Sequence, residues 1–132
     1  MTQDRQSGAA ANLWGHKTAA RIMRCLGVKG ISSNSNECRF WGEIVVIKCS
    51  ASKTGGVGVS YLMLERIAAV IGAFTRNSTQ FDLYRLSSED YERHMTPTLS
   101  KGPSSGKVGI VRKNVFLQLG KHLGVIDIGK TK

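Results

Sequence analysis

This sequence is poor in several residue types, and each shortage excludes a class of protein. Proline occurs only twice while glycine occurs 15 times, which is typical of a folded chain with many turns rather than of a proline-rich linker. The three cysteines include no Cys-x-x-Cys pair and no neighbouring histidine at zinc spacing, so we expect buried free thiols. Apolar runs never approach the ~20 residues of a transmembrane helix, and residues 1–12 lack the apolar core of a signal peptide. We therefore expect a cytoplasmic protein with no membrane partner.

Acidic residues are the most consequential shortage. The chain has nine Asp and Glu and 19 Lys and Arg, which gives a formal net charge of +10 at pH 7. A short chain so far from neutrality predicts an anionic partner, most often nucleic acid, although simple solubility is the alternative. The length suits one domain, and we expect a flexible arm at 1–12, the domain at 13–128 and a basic tail at 129–132.

The segment from Asn34 to Ser50 predicts a β-hairpin around a Trp41-Gly42 turn. A turn of two residues sets Glu37 opposite Val46, and alternation then divides the side chains between two faces. One face holds Cys38, Phe40, Val45, Ile47 and Cys49, and the other holds Glu37, Arg39, Ile44, Val46 and Lys48. Glu37 is thus diagonal to Lys48, so that a carboxylate and an ammonium converge at one end of the sheet. A cross-strand salt bridge of little energetic value is the alternative interpretation of this pair.

The remaining patterns predict alternating helices and strands. Asn12 is a candidate N-cap for a helix that ends at Gly27, with an apolar stripe at Ala19, Ile22, Met23 and Leu26. Residues 49–59 are expected to form a glycine-rich loop whose Lys53 and Thr54 meet phosphate oxygens. Further on, we expect a helix capped by Ser60 and then, from about 68 to 74, a strand buried on both faces, with a continuation of the helix as the alternative. After these we expect a turn at 76–80, a strand at 81–86, a helix capped by Ser87 or Ser88, a loop at 96–105, a strand at 108–111, a helix from Asn114 to about Leu123 and an edge strand at 125–128.

The segment Lys101 to Lys107 is similar to a phosphate-binding P-loop at first sight. Only three residues separate its two glycines, where that motif has four, and Val108 stands where a Ser or Thr would bind Mg²⁺. We therefore interpret it as an exposed basic loop. Together with Arg112 and Lys113, Lys101 and Lys107 are expected to contact phosphates.

The order of these elements resembles the PD-(D/E)xK nuclease superfamily, and most of all the PvuII-type restriction endonucleases. Asn36-Glu37, a spacer and Val46-Ile47-Lys48-Cys49-Ser50 are similar to the family's acid, spacer and (D/E)xK strand. The segment from Leu64 to Leu86 resembles the region that the family has after this motif, and the segment from Gly102 to Val111 resembles the family's basic C-terminal loop and strand. The resemblance covers about Leu13 to Gly120 and implies an α/β (α+β) fold, a restriction-endonuclease-like mixed sheet flanked by helices.

The resemblance also implies a function, a Mg²⁺-dependent endonuclease that binds DNA and hydrolyses phosphodiester bonds. Glu37 would be a metal ligand and Lys48 the motif lysine. The second acid of the motif is missing, because Val46 occupies its position. Glu65 on the following helix is one candidate to supply it, and Glu43 ranks lower because it lies on the other face from Lys48.

A different class of function stays open beside the enzyme. Val46 favours a catalytically inactive protein that binds DNA or another nucleic acid as an accessory factor. A small structural or interaction protein is a third hypothesis. Restriction enzymes of the resembled type are homodimers, so the resemblance also implies a homodimer.

Overall fold

The computed structural model of the chain describes residues 2–31, 36–50, 55–97 and 108–130. Its elements, in chain order, are α1 (Thr2–Leu26), β1 (Glu37–Phe40), β2 (Glu43–Ser50), β3 (Gly56–Ser60), α2 (Tyr61–Leu64), β4 (Ala69–Thr75), β5 (Gln80–Ser87), α3 (Ser88–His94), β6 (Thr96–Pro97), β7 (Val108–Arg112), α4 (Lys113–Leu119) and β8 (Lys121–Asp127), followed by a short 3₁₀ turn (Ile128–Lys130). Within these ranges no helix is long and apolar enough to cross a bilayer.

The strands form two sheets. A five-stranded sheet has the order β1-β2-β4-β5-β8, in which β2 and β4 are parallel and the other neighbours are antiparallel. A smaller sheet has the order β3-β7-β6 and is antiparallel. Helices flank the larger sheet, so the α+β prediction is confirmed.

The hairpin forms in the predicted register. Glu37 pairs with Val46, and the pairs continue to Phe40 and Glu43 beside the turn. Trp41 and Gly42 both have positive φ, 54° and 79°, as a tight two-residue hairpin turn of type I′ requires. The register fixes which side chains of β2 enter which core, because alternate residues point to opposite faces.

Strand β4 lies at the centre of the larger sheet and is buried on both faces, as its continuous apolar run predicts. On one face Ala19 and Ile22 of α1 pack over the sheet, in a core that includes Val45 and Ile47. The stripe predicted on this helix is therefore confirmed. On the other face lies a second core, which contains Val46, Val57, Val59, Val70, Leu86, Tyr91, Val111 and Phe116.

Tyr91 ties the smaller sheet to the larger one. Its ring is fully buried, and its hydroxyl lies 2.8 Å from the carbonyl oxygen of Val57 and 2.7 Å from that of Gly109, so it can donate to either. Burial raises the pKa of this phenol far above its usual range. The two sheets therefore enclose the second core between them.

Helix α1 begins at Thr2, so the N-cap predicted at Asn12 is wrong, and the backbone of residues 2–12 is helical. An alanine-rich, polar segment extends a helix by intrinsic propensity and needs no apolar stripe. The end of the helix is as predicted. Gly27 has φ +71°, and the N–H groups of Gly27 and Val28 donate to the carbonyls of Arg24 and Met23, which is a Schellman motif.

The prediction of a loop over residues 49–59 is wrong at both ends. Strand β2 continues to Ser50, and Gly56–Ser60 forms β3, which pairs with β7. Alternation buries Val57 and Val59, while glycines between them allow close approach. A Cβ added at Gly56 would lie 2.8 Å from the carbonyl oxygen of Val111, which excludes a side chain there.

Three further boundaries differ from the prediction. Helix α2 ends at Leu64, although Ser60 caps it as expected by accepting from the Met63 N–H at 3.1 Å. Helix α4 begins after Arg112 with no side-chain cap, so Asn114 lies inside it, and it ends at Leu119. The chain then enters β8 at Lys121, earlier than expected, because pairing with β5 gives the backbone of this edge strand hydrogen-bond partners on both sides of a bulge at Leu123.

Candidate functional site

Glu37, the first residue of β1, is held by an arginine from a later part of the chain. It is only 6% exposed. Its carboxylate accepts two hydrogen bonds from Arg66, from Nε to Oε2 at 2.9 Å and from Nη2 to Oε1 at 2.8 Å. These bonds raise the pKa of the guanidinium, and the planar fork matches the carboxylate as a bidentate pair. Both oxygens of the predicted metal ligand are thus occupied by a cation.

Lys48 lies near the end of β2, two residues after the partner of Glu37. It forms no ion pair with any carboxylate in the described part of the chain, so the salt bridge considered between Glu37 and Lys48 is not present there. The side chain is half-buried, and this desolvation lowers the pKa of the ammonium below its usual value. The structure therefore leaves a partly buried cation without a counter-charge among the described residues.

A pocket of about 190 Å³ adjoins Lys48. It is bounded by Gly15, His16, Asn36, Lys48, Cys49 and the start of β3 at Gly56, Val57 and Gly58. His16 and Asn36 are neighbours in the wall of this pocket, with His16 Nδ1 3.1 Å from Asn36 Oδ1. Burial raises the pKa of the Cys49 thiol to about 12, so it stays neutral at pH 7. Among the described residues, the pocket thus combines the Lys48 ammonium with polar groups and no carboxylate, and it suits a small anion.

The two acids considered as substitutes for Val46 do not bound this pocket. Glu65 is the exposed C-cap of α2. Glu43 accepts hydrogen bonds from Arg85 at the other end of the hairpin, at 2.9 Å for Oε1. Val46 itself is completely buried in the second core. The hairpin register therefore brings Glu37, Val46 and Lys48 together. Among the residues that the structure describes, no second carboxylate joins them.

The implied Mg²⁺ ion does not fit this arrangement of side chains. Mg²⁺ binds through one or two carboxylates and retains several waters in a strict octahedron. The Glu37 carboxylate is engaged by Arg66, and the described ranges contain no group of three or more His, Cys, Asp or Glu placed to hold a metal. A metal at Glu37 would first have to displace the guanidinium.

Four of the six predicted phosphate contacts, Lys53, Thr54, Lys101 and Lys107, lie outside the described residues. Arg112 is exposed at the end of β7, where it pairs with Gly56 beside the Lys48 pocket. Lys113 begins α4, and its amine lies 5.7 Å from the centroid of the Phe74 ring, a cation–π contact. Of the described pair, Arg112 is therefore the one next to the pocket.

Sequence reasoning missed three side chains of this site. His16 and Asn36 are twenty residues apart in the sequence, and no spacing rule links a helix side chain to the residue before a strand. Arg66 follows Glu65, and only the crossover from β2 to β4 brings it back to Glu37. A signal was available in the charge balance, because a buried carboxylate needs a cationic partner.

When the chain was compared with protein families, with curated proteins and with solved structures, none was found to match it.

Proposed function

We propose that this protein binds nucleic acid, takes a backbone phosphate into the Lys48 pocket and does not hydrolyse it through a Mg²⁺ ion at Glu37. One observation carries this proposal. Arg66 neutralises Glu37, so the cation of Lys48 is left without its expected acid. A site of this charge attracts a phosphate and repels a divalent cation.

Electrostatics supports the choice of ligand. A partly buried ammonium costs free energy unless an anion pairs with it, and a phosphate oxygen would supply that charge through a short, charge-assisted hydrogen bond. The net charge of +10 adds a long-range attraction for a polyanion. Arg112, which is exposed and pairs with Gly56 of the pocket, adds a second cation beside it.

The architecture supports a restriction-endonuclease-like fold as part of the same proposal. A helix, a hairpin with the acid and lysine at one end, and a crossover to a parallel buried strand follow in the order that the resemblance implies. The homodimer implied by the same resemblance stays a prediction.

A Mg²⁺-dependent endonuclease is the second candidate, and the register of the hairpin favours it. Glu37 stands opposite Val46, with Lys48 two residues further on, as the motif requires. Activity would need Glu37 to exchange Arg66 for the metal and Glu65 to move in from its exposed position. The first change breaks the ion pair between Glu37 and Arg66, and the second requires Glu65 to leave its position at the end of α2, so we rank this candidate second.

The two candidates separate in one experiment on the purified protein. We would measure binding of labelled duplex DNA, single-stranded DNA and RNA by gel shift, and nicking of supercoiled plasmid, each with Mg²⁺, Mn²⁺ or EDTA. We expect binding that does not need metal and no nicking. Lys48→Gln should weaken binding about fivefold to tenfold, because one charge-assisted phosphate contact is lost.

Lys29→Gln is the matched control, since Lys29 is exposed and lies outside the pocket. It removes the same charge and should change affinity less than about twofold. Metal-dependent nicking that disappears in both Lys48→Gln and Glu37→Gln would establish the endonuclease instead. Failure to bind any of the three nucleic acids at low salt would overturn both candidates and favour a structural or interaction protein.

A further inference from the structure

A second and larger pocket lies on the other side of α1 from the Lys48 site. Its volume is about 460 Å³, within the range of about 300–1,000 Å³ typical of sites for small organic ligands. The β4–β5 turn, Phe81 and Ile128 form one wall. Neither the nucleic-acid proposal nor the resemblance assigns a role to it.

One face of α1 forms the opposite wall. Trp14, Lys17, Thr18 and Arg21 are spaced at i, i+3, i+4 and i+7, which places them in a row along the helix. An aromatic ring, two cations and a hydroxyl therefore face one cavity. Such a row contrasts with the apolar stripe of the same helix, which packs into the core.

The aromatic end of the pocket is partly open. Trp14 is 38% exposed, while Phe81 beside it is only 2% exposed, with ring centroids 6.3 Å apart. The buried Phe81 packs against Trp14 and holds it in place. The partly exposed Trp14 ring thus offers a face on which a flat ligand can stack.

The basic end of the pocket has N–H donors that a ligand could use. Lys17 forms no ion pair in the described part of the chain. Arg21 donates through Nη2 to the Ile128 carbonyl at 2.9 Å, and because a guanidinium has five N–H donors, others are left for a ligand. No carboxylate bounds the pocket among the described residues, so its net charge is positive.

We infer that this pocket binds a nucleotide, with the base stacked on Trp14 and the phosphate bound by Lys17 and Arg21. A nucleotide is the ligand class that combines a flat aromatic ring, hydroxyl groups and an anion, and the hydroxyls of Thr18 and Ser78 suit its sugar. The nucleotide is either free or an unpaired one within a strand. The site is separate from the Lys48 pocket and does not depend on it.

Tryptophan fluorescence tests this inference directly. The chain has two tryptophans, so Trp41→Phe leaves Trp14 as the single reporter. The probes are AMP, ribose 5-phosphate, inorganic phosphate and a short single-stranded oligonucleotide. We expect saturable quenching by AMP or by the oligonucleotide, and none by ribose 5-phosphate or phosphate, which have no base to stack.

Variants separate specific binding from general charge. In the same background Lys17→Gln should raise the Kd about fivefold to tenfold, and Arg21→Gln should act in the same direction if the loss of its bond to Ile128 leaves the fold intact. Arg24→Gln is the control, because Arg24 is exposed on the same helix and does not bound the pocket. It should leave the Kd within about twofold.

Each outcome decides the matter. Quenching by AMP that Lys17→Gln weakens supports a site for free nucleotides, and quenching only by the oligonucleotide with the same sensitivity supports an unpaired nucleotide in a strand. Absence of quenching by both, or equal effects of Lys17→Gln and Arg24→Gln, would overturn the inference.

Discussion

The two ends of the β1–β2 hairpin each hold a glutamate bound by an arginine, yet their environments differ. At the Lys48 end the Glu37 side chain is 8% exposed, and its partner Arg66 is 54% exposed. At the turn end Glu43 is 39% exposed, and Arg85 is 27% exposed. The hydrogen bonds are similar in length, from 2.8 to 2.9 Å at the first pair and from 2.9 to 3.2 Å at the second.

The comparison shows that a Glu–Arg ion pair contributes differently to stability and to ligand binding when the glutamate is buried than when it is exposed. Water can replace Arg85 beside the half-exposed Glu43, so that pair adds little to stability. Glu37 has little access to water and depends on its protein partners. A buried carboxylate bound by an arginine is poorly placed to bind and release a metal ion, whereas Lys48, which has no carboxylate partner among the described residues, is well placed to meet an anion.

The largest effect is expected when the charge of the buried carboxylate, Glu37, is removed, with Glu43 as the comparison. Glu37→Gln keeps the shape but loses the charge-assisted bonds, and we expect a loss of about 1–3 kcal/mol in the free energy of unfolding. Glu43→Gln should cost less than about 1 kcal/mol. Urea unfolding measures both, with an unchanged m value as the control for two-state behaviour. Equal losses would show that burial does not distinguish the pairs.

An intermediate effect is expected from Lys48→Met, which removes the partly buried charge and keeps the length of the side chain. The pKa of Lys48 is lowered in the fold from its usual 10.5. Below the lowered value both states carry the proton, and the folded state bears the desolvation cost. Between that value and 10.5 the unfolded chain binds more protons, so the stability of the wild type rises with pH.

The stability gained by Lys48→Met should therefore be greatest near pH 7 and should vanish above pH ~10.5. The measurement is the free energy of unfolding of variant and wild type across pH 7 to about 10.5. Lys29→Met is the control and should show no such trend, since Lys29 is exposed. A gain that does not change with pH would contradict desolvation of the ammonium as its cause.

The smallest effect is expected from Trp41→Asn, in the hairpin turn beside Glu43. Trp41 has φ +54°, which costs a residue with a Cβ about 1–2 kcal/mol, and its ring stacks on Phe40 with centroids 4.4 Å apart. Trp41→Asn relieves the strain but loses the stacking, so we expect a net gain of about 0.5 kcal/mol, the difference between the two terms. Trp41→Ala keeps the strain and should lose about 0.5–1.5 kcal/mol. Thermal unfolding compares them, and a lower melting temperature for Trp41→Asn than for Trp41→Ala would contradict the role of strain.

Local rules were sufficient for the parts of the fold that local forces decide. Alternation and the Trp41-Gly42 turn predict the hairpin register, and an uninterrupted apolar run predicts the doubly buried β4. Ser60 and Ser87 cap α2 and α3 as their sequence context indicates. Each of these features depends on residues that are close together in the chain.

Features that depend on distant partners escaped prediction. β3 exists because Gly56 and Gly58 let it approach β7 closely, although glycine by itself disfavours strands. The candidate site was predicted only in part, because the sequence indicates that Glu37 and Lys48 are near each other but does not indicate that Arg66 takes the carboxylate. Such choices among competing partners are made by the tertiary fold.

The pairing of β3 with β7 has a consequence for the order of assembly. β2, which holds Lys48, can pair with β1 as soon as the hairpin has been synthesised. Gly56 to Gly58, which close the pocket on the other side, gain their backbone partners only from residues 110–112. During synthesis the pocket therefore stays incomplete until Arg112 has left the ribosome, because the strand pairing that completes it joins Gly56 to a residue far along the chain.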